Sequence, residues 1–105
     1  MADVIVSLLA QFDEAHIVRD LAKKTGHRVA FKYSDRFQNL YALLSDHPGI
    51  GSPRPSLAQH VRIGVVSPYT IPYRYDPATN TVTILRIVRG RCKLAAAMLF
   101  SDLEP

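Results

Sequence analysis

The chain changes its hydrophobic period once, near residue 48, and that change constrains the fold more than any other feature. Before it, apolar residues recur at three- and four-residue spacing; after it, they alternate with polar ones. From about His27 to Ser45, Ala30, Tyr33, Phe37, Leu40, Tyr41 and Leu44 form one stripe, with Arg28, Lys32, Asp35, Arg36 and Asn39 mostly off it. That is an amphipathic helix. From about Leu8 to Lys24, Phe12, Ala15, Val18, Leu21 and Ala22 predict a second one, capped at its start by the Ser7 hydroxyl. Gly26 ends it, with Lys23 and Lys24 in the last turn, where positive charge suits the helix dipole. Only a couple of residues separate the helices, so they should pack as an antiparallel hairpin. Ahead of them, Asp3 to Leu9, with Val4, Ile5 and Val6 adjacent, reads as a first strand.

Beyond the switch, His47 to Pro55 is dense in Gly and Pro and is a loop. Three strands should follow. In the first, Val61, Ile63 and Val65 alternate with Arg62 and Gly64; in the second, Tyr69, Ile71, Tyr73 and Tyr75 alternate with Thr70, Pro72 and Arg74. In the third, Val82 to Val88 is almost continuously apolar and broken by Arg86, which suggests a central strand covered on both faces. Pro72 cannot donate to a ladder and argues for an edge or a bulge. The expected fold is therefore α+β, in the order β-α-α-β-β-β. A helical hairpin packs on a small, mostly antiparallel sheet whose first strand pairs at an edge. With no internal repeat or linker, residues 1–105 read as one domain. The tail after Leu94 has good helix propensity but is short, and a helix is expected there only when it is docked.

Composition narrows the function classes. Of the 105 residues 48% are hydrophobic, enough for a core without a staple. Cys92 is the only cysteine, so no internal disulfide can form, which fits a reducing, cytoplasmic setting. The N-terminus has no basic segment followed by a long apolar one and is read as carrying no signal peptide. No apolar run approaches the roughly 18 residues of a membrane-spanning helix. The net charge is +4, and its layout is uneven. Arg54, Arg62, Arg74, Arg86, Arg89, Arg91 and Lys93 share the stretch 54–93 with one acid, Asp76. That imbalance points to an anionic partner, either nucleic acid or an acidic protein segment.

Specific chemistry is harder to find. His16, His27, His47 and His60 match no metal-ligand spacing, so neither a metal nor another cofactor is expected. The serines show no nucleophile-elbow context. Cys92, between Arg91 and Lys93, reads as a small apolar residue before a reactive thiol. Tyr69, Tyr73 and Tyr75 share a strand face and should pack under the helices. Arg86 has two open readings: it lies on the uncovered sheet face with Arg62 and Arg74, or it pairs with Asp13, Glu14 or Asp46.

Three segments carry a resemblance. They are His47-Pro48-Gly49-Ile50-Gly51 with Pro53-Arg54-Pro55; Val61-Arg62 followed by Tyr69 to Tyr75; and Val82 to Arg91. In order and spacing, over roughly residues 3 to 93, the set resembles the RelE/ParE superfamily of toxins from type II toxin–antitoxin systems, on the ParE side. The chain departs from that pattern at Arg89, where the family has His, at Cys92, where it has Arg, and at Pro72, where it has a bulky apolar residue. The resemblance implies a toxin neutralised by a cognate, ParD-like antitoxin with an acidic, amphipathic C-terminal segment. It also implies DNA gyrase as the target, inhibited by binding and not by catalysis. On that reading the target-facing residues are Arg86, Arg89, Arg91, Lys93 and Arg62, and the antitoxin-facing ones are Tyr33, Phe37, Tyr41 and Arg74. Two alternatives stand beside it: a ribosome-dependent messenger-RNA endonuclease of the RelE type, and a non-toxic partner that only binds its antitoxin. The endonuclease needs an acid and a base beside its cations, and after Gly90 the chain has no Tyr and no His.

Overall fold

The computed structural model describes residues 1–90. Strand β1 (Asp3–Val6) leads through Ser7 into helix α1 (Leu8–Thr25), and Gly26 joins α1 to helix α2 (His27–Asp46). Strands β2 (Ser52–Pro53), β3 (Val61–Val66), β4 (Tyr69–Asp76), β5 (Thr81–Ile84) and β6 (Val88–Arg89) follow. The expected α+β order holds, with two refinements: a two-residue strand lies in the loop, and the third expected strand is split into β5 and β6.

Both helix boundaries have local causes. The Ser7 hydroxyl accepts from the Ala10 N–H at 3.1 Å, so α1 starts one residue after β1 ends. Gly26 sits at φ +93°, a conformation that costs a side-chain-bearing residue strain, and so turns the chain from one helix into the next by itself.

The sheet runs β1-β5-β4-β3-β2, with β6 also on β4. Strand β1 pairs at one edge, as expected, and runs parallel to β5 there; the other pairings are antiparallel. The helices cover one face, where Tyr69, Ile71, Tyr73, Val82 and Ile84 meet Ala10, Phe37, Tyr41 and Leu44. Burying a side chain such as Phe37 stabilises the fold by roughly 2–3 kcal/mol. Tyr69 and Tyr73 are thus core residues, as the alternation predicts, and Tyr75 packs half-buried at the margin of that core.

Pro72 resolves in favour of a bulge, inside a central strand. Its carbonyl accepts from Leu85 N at 3.0 Å and from Arg86 N at 3.5 Å. The pairing Tyr73–Ile84 gives way to Thr70–Val88, so Ile71 and Pro72 face three residues, Leu85, Arg86 and Ile87. In an antiparallel ladder a residue's N–H and C=O point to the same neighbour. The N–H that proline lacks would therefore have faced this stretch, and the ladder breaks there. The third strand also alternates instead of being covered on both faces: Val82 and Ile84 are buried, Thr81 and Thr83 only partly.

The α1 stripe is only partly inward: Val18, Leu21 and Ala22 are half-buried, whereas Phe12 and Ala15 are exposed. Phe12, expected in the core, is 71% exposed, while Ala10 is buried and Ile17 packs against the core. The inward side of α1 carries the half-buried Asp13 and Glu14. Both have partners, described below.

Candidate functional site

Of the five residues expected to face a target, Arg91 and Lys93 lie outside the described residues. Of the other three, Arg62 and Arg89 are fixed by their registers, Arg89 opposite Tyr69, and Arg86 lies in the bulge. Arg62 pairs with Tyr73 on the helix-covered side, whereas Arg74 pairs with Val61 on the opposite face. They do not share one open face with Arg86, because neighbouring residues along a strand alternate sides. Arg62 Nη1 donates to the carbonyls of Gly49 at 3.0 Å and Gly51 at 2.8 Å. Beside it the Tyr73 hydroxyl donates to Pro48 O at 2.8 Å and accepts from Gly51 N at 2.9 Å. These two side chains latch the 47–51 loop to the sheet and leave Ile50 at its tip 57% exposed. Gly51 is required for that closeness: a Cβ there would stand 2.7 Å from both Ile63 O and the Tyr73 oxygen.

Arg86 takes the ion-pair reading. Its Nε and Nη2 donate to the two carboxylate oxygens of Asp13 at 2.7 and 3.0 Å, and Ile87 N donates to the same carboxylate at 3.0 Å. The hydrogen bond to Asp13 raises the Arg86 pKa above its ordinary value, against the opposing effect of burial. Ser7 adds a bond from its hydroxyl to Leu85 O at 3.0 Å. The whole bulge is therefore tied to the start of α1. As placed, Arg86 helps hold the strand that carries Arg89.

The four residues expected to face an antitoxin separate. Phe37 has no exposed surface and stacks edge-on to Tyr69, with ring centroids 5.6 Å apart. Tyr41 is buried and donates to the Glu14 carboxylate at 2.8 Å. Burial first, and then that carboxylate, push the Tyr41 pKa well above the tyrosine range. Both are core residues in this conformation. Tyr33 is half-buried, edge-on to Tyr69 and beneath the Arg36 guanidinium at 5.4 Å. Arg74 is exposed on the other side of the sheet.

What periodicity missed is the outward side of α1. Leu8 (63% exposed) and Phe12 lie one turn apart on it. Next to them a depression of about 490 Å³ is lined by Phe12, Ile17 and Ile87, by Arg19 and Arg89, and by Asp13, whose carboxylate is held by Arg86. An apolar patch rimmed by cations is a surface for a partner more than for solvent. Its signal in the sequence was the pair Asp13-Glu14, since two carboxylates on one side of a helix needed cationic or hydroxyl partners if that side was the inner one. For acid–base chemistry the buried phenols are poorly tuned. Burial raises Tyr69 and Tyr73 above the ordinary tyrosine pKa, so both stay protonated at neutral pH. Among the described residues no group of three His, Cys, Asp or Glu could hold a metal, and no helix is long and apolar enough to cross a membrane.

Comparison with known proteins fits this geometry. A family model described as the ParE toxin of the type II toxin–antitoxin system parDE matches residues 4–93. The chain is 32% identical over 98 residues to Toxin ParE3 of Caulobacter vibrioides, a match spanning 93% of this chain and 96% of that protein. Two solved structures share the fold at 24% identity. One is the chromosomal ParDE system of P. aeruginosa, with a TM-score of 0.71 over 87% of this chain and 98% of that one. The other is the toxin–antitoxin complex RelBE2 of Mycobacterium tuberculosis, with a TM-score of 0.59 over 84% and 96%. The chain belongs to the ParE family of type II toxin–antitoxin toxins.

Proposed function

We propose that this toxin arrests growth in the bacterial cytoplasm by binding DNA gyrase, without catalysis, through the basic end of its sheet. A cognate antitoxin with an acidic, amphipathic C-terminal segment holds it inactive. The observation that carries the reading is the surface where Phe12 and Leu8 stand exposed beside Arg19 and Arg89. A cationic rim around an apolar patch complements an acidic amphipathic segment and steers its approach. The two structural neighbours are themselves toxin–antitoxin systems, which is in keeping with a partner of that kind. Binding is favoured over RNA cleavage because the phenols of Tyr41, Tyr69 and Tyr73 are core groups with raised pKa values. General acid–base catalysis works best with a group poised near the working pH.

Pulse labelling after induction from a tight promoter tests the proposal. DNA synthesis should stop first, with accumulation of DNA breaks. If protein synthesis stops first, the RelE-type nuclease reading replaces it, and unimpeded growth would make the chain a non-toxic partner of its antitoxin. Arg89→Glu combined with Arg91→Glu should weaken growth arrest at unchanged melting temperature. Undiminished arrest by that folded double variant counts against the basic strand end as the contact.

A further inference from the structure

Strand β3 is six residues long, but its outer neighbour β2 accompanies it only at Arg62 and Ile63. Among the described residues no strand lies alongside the rest of that edge. The register fixes which groups face it. The Pro72 carbonyl turns toward Leu85, so the even-numbered residues of β4 bond to β5 and β6, and the odd ones bond to β3. The hydrogen-bonded pairs with β3 are then Arg62–Tyr73, Gly64–Ile71 and Val66–Tyr69. Ile63 and Val65 point their N–H and C=O outward. Ser52 stands opposite Ile63, and Val65 comes after β2 has ended.

The side chains around Val65 match this open ladder. Val65 is itself 64% exposed, on an edge that proteins usually blunt with lysine, proline or a covering element. On the helix side lies a groove of about 310 Å³ with Leu40 and Leu43 on its wall and Arg36 at its rim. On the opposite side lies a depression of about 880 Å³ with Leu57 on its wall and Arg54 at its rim. Val65 and Ser67 border both. A strand laid along this edge would send alternate side chains into the two hollows. Each hollow offers apolar surface and one arginine.

We propose that the outer edge of β3 at Val65 is a strand-addition site. Its occupant is an extended segment of the antitoxin in which apolar residues alternate with, or are flanked by, acids. This rests on the toxin–antitoxin reading above and adds to it a second contact, on the sheet edge instead of on α1. The occupant follows from the chemistry: outward main-chain groups select an extended chain, and arginines on both sides select carboxylates.

Val65→Pro tests it, because the lost N–H is one that β4 does not use, and proline is tolerated at such an edge position. Val65→Ala removes the side chain and keeps the amide. With the full-length chain and its cognate antitoxin, Val65→Pro should bind about tenfold more weakly than Val65→Ala, the worth of one main-chain hydrogen bond at a partly dried interface. In the wild type the Val65 amide should exchange fast when free and slowly in the complex, a readout that stands even where the proline variant folds poorly. Equal affinities of two folded variants, or an unprotected Val65 amide in the complex, overturn the proposal. So does a homodimer that Val65→Pro dissociates while antitoxin affinity is unchanged, since the occupant is then a second copy. If the wild type binds no antitoxin at all, the toxin–antitoxin reading fails first and this one with it.

Discussion

Removing the Asp13 carboxylate should unfasten the bulge from α1. Asp13→Ala deletes two charge-assisted hydrogen bonds to Arg86 and leaves the Ile87 N–H without its acceptor. Breaking one side of a fully buried pair costs about 3–5 kcal/mol. Here the Arg86 and Asp13 side chains keep 24% and 18% of their surface, so water takes up part of the loss. Screening and rehydration bring the expected cost to about 2–3 kcal/mol. Set against a domain stability of about 5–15 kcal/mol, that is a large fraction. At roughly 4–8 °C per kcal/mol for a domain of this size, the melting temperature should fall by about 10–20 °C. Asp13→Asn keeps one oxygen for Ile87 N–H and should lose about half as much. The discriminating assay is a double-mutant cycle with Arg86→Ala, read by denaturant unfolding. A coupling energy near 2 kcal/mol is expected, because each single change removes the two-point ion pair. Coupling under about 0.5 kcal/mol would place the pair with ordinary surface ion pairs and refute the argument that it fastens the bulge.

Two further outcomes follow from burial. Phe12→Ser should change stability by no more than about 0.5 kcal/mol, while Phe37→Ala should cost about 3–5 kcal/mol, since only the second empties the core; comparable losses would mean that the outward assignment of Phe12 is wrong. The tyrosines set an alkaline limit. Burial raises the folded-state pKa of Tyr41, Tyr69 and Tyr73 above the unfolded value near 10, so the folded state holds protons that the unfolded state releases. Their contribution is fully present below pH 10 and is lost as pH rises beyond it. Phenolate absorbance from these three should appear only with loss of circular dichroism; full ionisation of all five tyrosines in the folded chain would contradict it.

The parts of the fold legible in the sequence were those with a local cause. Ser7 and Gly26 set helix ends by a hydroxyl and a left-handed φ, and both act within four residues. The alternation in β4 put Tyr69, Ile71 and Tyr73 on one face, and there they are. Pro72 announced a break in a ladder without saying which strand would absorb it. The inward side of the first half of α1 was not legible, because apolar spacing assumes an inward face without charges, and here Asp13 and Glu14 point in to meet Arg86 and Tyr41. Those partners lie 73 and 27 residues away in sequence, and no window of periodicity spans them.

The arginines show why the site was less legible than the fold. Charge counting treats the basic half as one surface, but Arg62 and Arg86 are drawn into the structure by carbonyls and a carboxylate supplied by other elements. Each then fixes something a partner can meet: Arg62 the loop that exposes Ile50, Arg86 the strand that carries Arg89. On the proposed function, substituting either should lower toxicity through position. Arg86→Ala should therefore lose growth arrest and thermal stability together. Arg89→Glu with Arg91→Glu should lose growth arrest alone, and the difference between those two patterns separates the residues that touch a target from those that aim them.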